Sequence, residues 1–258
     1  MRIALGVEYN GRDFYGWQVQ PTVSSIQETL QNALAKIANE PIYLHCAGRT
    51  DANVHATGQV VHFDTHAKRH VDAWVFGTNS HLPPSIVVRW ARQVDYHFHA
   101  RFSATARRYC YVIFNHPIRP AILSERATWY YYSLNIDLMR AATHYLLGEQ
   151  DFNSFRSSQC NSKSSRRSVT DVTIHKNGDF IVIEIEANAF LHHMVRNIVG
   201  VLLHIGTGHK PPEWMQAVLQ AKNRRAAAET AAPDGLYLTH VRYPDPYIFP
   251  LTNPLFLI

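Results

Sequence analysis

The chain has 258 residues, 46% of them hydrophobic and 17% charged. That is length for one large domain or two modest ones and apolar content for a packed core, which excludes a disordered, fibrous or coiled-coil protein. Lys and Arg number 25 against 20 Asp and Glu, and the net charge of +5 favours a polyanionic partner.

Ile3, Leu5, Val7 and Tyr9 alternate with Arg2, Ala4, Gly6 and Glu8, the period-two pattern of a half-buried strand. After a loop with Gly11 and Gly16, Ser25 and Glu28 offer a capping box. Ile26, Leu30, Ala33, Leu34 and Ile37 then recur at helical spacing until Pro41. A strand is expected over 42–46, a loop over 47–57, a strand over 59–64, a short helix over 71–80 and a strand over 86–94.

The order then begins again. A strand is expected over 108–114, a helix over 138–147 ended by Gly148, and strands over 169–175 and 180–187 with Asn177-Gly178 as the hairpin signal. A helix over 190–205 and a strand over 236–243 close it. Each half reads β-α-β-β-α-β, so the expected class is α+β, with two split-βαβ, ferredoxin-like halves over 1–105 and 106–243 and a Pro-rich tail over 244–258. The Ser-rich, basic segment 156–168 is expected as a mobile surface loop, a solvated linker or a phosphate contact. The tail, with Phe249, Leu255, Phe256 and Leu257, is expected to pack rather than catalyse.

Cys46, Cys110 and Cys160 are odd in number and far apart, so neither a disulfide framework nor a cysteine zinc site is readable, and a reducing cytoplasm is expected. Met1 to Glu8 reaches an acid too soon for a secretory signal, and the apolar stretch 190–205 is broken by His192, His193, Arg196, Asn197 and His204, so no membrane span is expected. There is no H-E-x-x-H, Walker loop, dinucleotide fingerprint or nucleophile elbow, so no metal and no nucleotide cofactor is expected.

The richest segment is Gly48-Arg49-Thr50-Asp51-Ala52-Asn53-Val54-His55, a loop between strands that places Arg49, Asp51 and His55 on a rigid support. An Asp in such a loop is ordinarily an Asx turn or cap. Arg196 raises the stakes, because the helix around it is apolar nearly all round. A guanidinium there needs an anion, either an ordinary structural acid or a functional one, and Asp51 is the best candidate. Such a pair keeps Asp51 ionised, as a nucleophile must be. Aromatics interleave with cations at Tyr9–Trp17, Phe98–Phe102, Arg107–Tyr111 and Phe152–Arg156, and on the strand expected over 108–114 Tyr109 and Tyr111 share one face with Arg108 opposite. Each ring alone is ordinary core; recurrence beside arginines points to RNA.

Taken together, Phe14-Tyr15-Gly16-Trp17-Gln18, Gly48-Arg49-Thr50-Asp51-Ala52, Phe98-His99-Ala100-Arg101-Phe102, Arg108-Tyr109-Cys110-Tyr111, Asp151-Phe152-Asn153-Ser154-Phe155, Met194-Val195-Arg196-Asn197 and Gly235-Leu236-Tyr237-Leu238 resemble the tRNA pseudouridine synthase A family. The resemblance covers nearly the whole chain to Tyr243. It implies two α/β halves joined across a basic cleft, and a cytoplasmic homodimer. It implies isomerisation of uridines 38, 39 and 40 of the tRNA anticodon stem-loop without a cofactor. It assigns Asp51 as nucleophile, Arg196 to the salt bridge with it, Tyr109 to stacking at the target base and Arg49 to holding the RNA open. Asn53, Asn10, Arg12 and Gln150 depart from the family's usual residues, and Asn53 tolerates the positive φ of the Gly it replaces. Asp51 attack at the sugar C1′ or the base, and abstraction of a sugar proton, all stay open. The rival classes are a non-catalytic RNA-binding or tRNA-folding protein and a histidine-based metal hydrolase.

Overall fold

The structure, a computed structural model, describes residues 1–160 and 162–251. Contacts divide the described residues into two compact units, one of Met1–Arg107 with Tyr237–Leu251, the other of Arg108–Leu236. The expected final strand therefore groups with the first unit, not with the half that precedes it in sequence. The class is α+β, and no helix among the described residues is long and apolar enough to cross a membrane.

In the first unit β1 (Arg2–Tyr9) lies between β3 (His55–Asp64) and β4 (Ile86–Val94), antiparallel to both. β2 (His45–Cys46) pairs with β3, and β10 (Leu236–Arg242) runs parallel to β3 through Tyr237 and Leu238. β3 starts four residues before the expected Gln59, because Ala56 pairs with Tyr9 and His55 with Tyr237. Conversely, β2 keeps only two of the five residues expected of it, although Ile42 and Leu44 are buried and Tyr43 is exposed as alternation requires. Helix α1 (Ile26–Ala38) buries Ile26, Leu30, Ala33 and Leu34. Ser25 caps it by accepting from the Glu28 N–H, and Asn39 closes it at φ 56°. The short helix expected over 71–80 contains a π-helical turn, Ala73–Gly77.

The second unit opens within β5 (Ala106–Asn115), at Arg108, followed by β6 (Thr128–Tyr130), α2 (Ile136–Thr143) and β7 (Gly148–Asp151). β8 (Arg166–Asn177), β9 (Phe180–Ala187), α3 (Met194–Gly206) and α4 (Trp214–Ala221) complete it. Its strand order is β5-β9-β8-β7, with β6 parallel to β5. α2 starts before its first apolar repeat because the Asn135 side chain accepts from the N–H groups of Asp137 and Leu138. The β8–β9 hairpin turns on Gly178-Asp179, with Gly178 at φ 58° and Asn177 paired to Phe180. β6, β7 and α4 were not expected; they are three, four and eight residues long, too short for a periodic pattern to declare them.

Two expectations about the irregular stretches divide. Within 156–168 the described residues are tied down more than a mobile loop: Arg166, Arg167 and Ser168 pair with β7, Cys160 is buried, and the Ser157 N–H donates to the His192 carbonyl. The tail packs as far as it is described, with Tyr243, Tyr247 and Phe249 around Phe98 at 4.9–5.4 Å and Phe249 stacked on Trp90 at 4.8 Å. Leu255, Phe256 and Leu257 lie outside the described residues.

Candidate active site

The loop between β2 and β3 is fastened at nearly every residue. Gln59, wholly buried, accepts from the Gly48 N–H (3.4 Å) and donates to the Gly48 carbonyl (2.6 Å) and to the Tyr9 hydroxyl (3.4 Å). The Tyr9 hydroxyl meets Thr50 Oγ1 at 2.7 Å, and the Trp17 N–H donates to the Thr50 carbonyl at 2.9 Å. Beyond Asp51 the Val54 N–H donates to the Asp51 carbonyl at 3.2 Å, and Asn53 takes φ 63° as expected for the residue replacing a glycine. His55 Nδ1 accepts from the Gly11 N–H at 3.1 Å, so its proton sits on Nε2, and its ring stacks on Tyr237 at 4.7 Å.

The glycines ahead of α1 are there for this loop. A Cβ on Gly11 would stand 2.0 Å from the Val54 carbonyl oxygen, and one on Gly16, at φ 89°, would stand 2.8 Å from that of Thr50. Two chain segments thus run backbone to backbone, which only glycine permits. Asp51 itself is half-buried, and Arg49 is exposed with no acidic partner among the described residues.

In the second unit Tyr109 on β5 is 8% exposed, and its ring meets Phe190 edge-on at 4.9 Å. α3 is buried on nearly every side, as its sequence implied, and Arg196 is half-buried on it. Arg196 Nε donates to the Ala231 carbonyl at 2.8 Å, and the Ala231 N–H donates back to the Arg196 carbonyl at 3.2 Å. Asn197, wholly buried, donates to the Phe155 carbonyl and accepts from Arg224 and Thr230. Burial raises the Asp234 carboxyl above the usual carboxylate range, with Glu125 adding and the Arg196 charge opposing. Arg196 thus has an acid in its own unit that sequence reasoning did not weigh.

Other sequence candidates divide. Arg108 does not stand ready for phosphate: it is paired with Glu186 at 3.2 Å and Asp171 at 3.5 Å. Arg156 donates to the Cys160 carbonyl. Tyr9, Tyr111 and Trp17 are core rings, and burial pushes the Cys46 and Cys110 thiols up to about 12, away from nucleophilic use. Sequence reasoning missed Gln59 and Asn197; the available signal was an amide on a strand or helix amid mostly apolar residues.

A rigid loop offering a carboxylate and a guanidinium, in a chain rich in Arg–aromatic pairs, suits covalent or acid–base chemistry on a nucleic acid. A family model described as tRNA pseudouridine synthase matches residues 6–103 and 141–244. The chain is 56% identical over 260 residues to the tRNA pseudouridine synthase A of Shewanella sp. strain MR-4, covering all of both chains. It is 54% identical over 250 residues to that of Tolumonas auensis, covering 97% of this chain and 96% of the relative. With that of Aliivibrio fischeri strain MJ11 the identity is 54% over 259 residues, covering 100% and 99%. The chain belongs to the tRNA pseudouridine synthases.

Proposed function

We propose that this isomerase converts uridines 38, 39 and 40 of the tRNA anticodon stem-loop to pseudouridine with Asp51 as nucleophile. The observation that carries the reading is the Gly48–Asp51 segment, clamped by Gln59, Tyr9 and Trp17 in a chain of this family. Arg196 forms the salt bridge with Asp51, Tyr109 stacks at the target base, and Arg49 holds the RNA open. What supports these roles is their place in the motifs, together with an exposed guanidinium at 49 and a half-buried one at 196 on an apolar helix. The reading takes the Asp51 loop to lie in the N-terminal half and Tyr109 and Arg196 in the half that follows it, both ferredoxin-like and facing a basic cleft. The β4-β1-β3 order, with β2 on β3, supports this for the first half. A cytoplasmic homodimer belongs to the same reading.

The reaction breaks the bond between ribose C1′ and uracil N1, turns the base and joins C1′ to C5. The C5 proton is then lost to solvent and N1 gains one, so atoms and electrons balance without a redox partner. The uridine must first leave the stack, at a cost of a few kcal/mol offset by backbone and stacking contacts. Tritium release from tRNA carrying C5-labelled uridine tests the assignment. Wild-type protein should release it, mass mapping should place pseudouridine at 38–40, and Asp51→Asn should abolish both. Release by Asp51→Asn at the wild-type rate would remove Asp51 from the role.

A further inference from the structure

A ring stack on the first unit plays no part in the assigned roles. His45 and His62 are directly opposed across β2 and β3, and their rings stack at 5.0 Å with 21° between planes. His99 meets His62 at 4.6 Å and His45 at 5.2 Å, and Phe102 continues the series from His99 at 4.4 Å. The series is rooted in the core, where His62 is 1% exposed and packs edge-on against Phe98, and it ends in solvent, where Phe102 is 76% exposed.

Its parts are held in place. His62 Nδ1 accepts from the Ala100 N–H, and His99 Nδ1 from the N–H groups of Arg101 and Phe102, so both rings are locked in the Nε2–H tautomer. The buried Arg107 guanidinium donates to the carbonyls of Ala47, Arg101 and Ala104, pinning the loop that carries Phe102 to the start of the Asp51 loop. Burial and neighbouring positive charge lower the basicity of His62 and His99, so the rings stand neutral at pH 7 and present π-faces rather than cations.

The surrounding charge is supplied by arginine. The Arg101 guanidinium lies 5.5 Å from the Phe102 ring centroid, and Arg49 and Arg101 both act on the half-buried Cys46 thiol. Neither has a carboxylate partner among the described residues, whereas Arg2 nearby is neutralised by Asp64 at 2.8 Å. A solvent-facing aromatic with one uncompensated guanidinium against it and a second near Cys46, next to His45, complements a base and its phosphates, the chemistry of single-stranded nucleic acid.

We propose that the His45–His99–Phe102 stack, with Arg101 and Arg49 beside it, is a platform on which the enzyme stacks an unpaired base of its tRNA. The proposal rests on tRNA being the substrate and adds a contact outside the reacting uridine. Phe102 carries the exposed face, the histidines behind it keep that face rigid, and Arg101 meets the adjoining phosphate.

The test is the dissociation constant of the full-length protein for unmodified tRNA, measured across a salt series. Phe102→Leu keeps apolar bulk and loses the π-face, so it should weaken binding about five- to a hundredfold with an unchanged melting temperature, whereas Phe102→Tyr should bind as the parent does. Arg101→Gln should reduce the slope of log K against log salt by about one. If Phe102→Leu binds as tightly as the parent, the platform is refuted and the exposed ring belongs to another partner. Binding is read separately from turnover: wild-type protein that bound tRNA and made no pseudouridine would sink the proposed function while leaving the platform standing.

Discussion

Gln59→Leu is the sharpest probe of how the fold presents Asp51. The substitution roughly conserves volume but removes both partners of Gly48 and the donor to Tyr9. Because Gln59 is wholly buried, water does not reach its place, and the Gly48 N–H and carbonyl are left without their partners. A stranded backbone group costs about 1–3 kcal/mol, so two cost about 2–6, and the better burial of Leu offsets up to about 2. The net loss, about 0–6 kcal/mol and centred near 3, should at that centre lower the melting midpoint by about 6–12 °C in a chain of this size. The same change frees the loop three residues ahead of Asp51, and displacement of a reacting group by about 1 Å lowers rates on the order of a hundredfold. Calorimetry reads the first effect, and single-turnover tritium release at saturating tRNA, below the new midpoint, reads the second. A variant that melted and reacted like the parent would refute the view that Gln59 positions the loop.

Three further outcomes follow from the same geometry. Gly16→Ala places a Cβ 2.8 Å from the Thr50 carbonyl at a φ of 89°, so it should lower kcat at least tenfold while the fold survives, as near-ultraviolet circular dichroism would show. His62, lowered to about 3 by burial and by the His99, Arg2 and His45 charges, binds a proton in the unfolded chain near pH 6.5 but not in the folded one. Stability should therefore fall as pH drops from 6.5 toward 3, by up to about 1.4 kcal/mol per pH unit from this group. His62→Asn, which keeps an acceptor for Ala100, should flatten urea midpoints over that window, and an unchanged profile would remove His62 as the cause. Arg108→Met leaves Glu186, 4% exposed, without its ion partner and should destabilise by about 1–3 kcal/mol. Its tRNA salt slope should equal the parent's; a slope lower by about one would show that Arg108 leaves its acids for phosphate.

The sequence by itself determined β1, β4 and β9 to the residue or nearly so: in β9 Ile181, Ile183 and Ile185 are buried in alternation, and in β1 the large apolar residues alternate although its burial is nearly continuous, so period two is readable. It also determined α1, through Ser25 and its apolar face, and the encasement of α3, since a helix apolar all round has nowhere else to go. The loop holding Asp51 was legible as a motif, and so was the positive φ of Asn53.

Only the tertiary structure decided which polar groups hold that loop. Tyr9, Thr50 and Gln59 lie on separate strands and loops, and nothing local records that their side chains meet. The same holds for the grouping of β10 with the first unit, which rests on pairing between residues 55 and 237, and for Arg108, whose carboxylates come from β8 and β9. The physical reason is common to all three: periodicity reports how a segment buries its own face, while partners from distant segments are chosen only when the strands come into register.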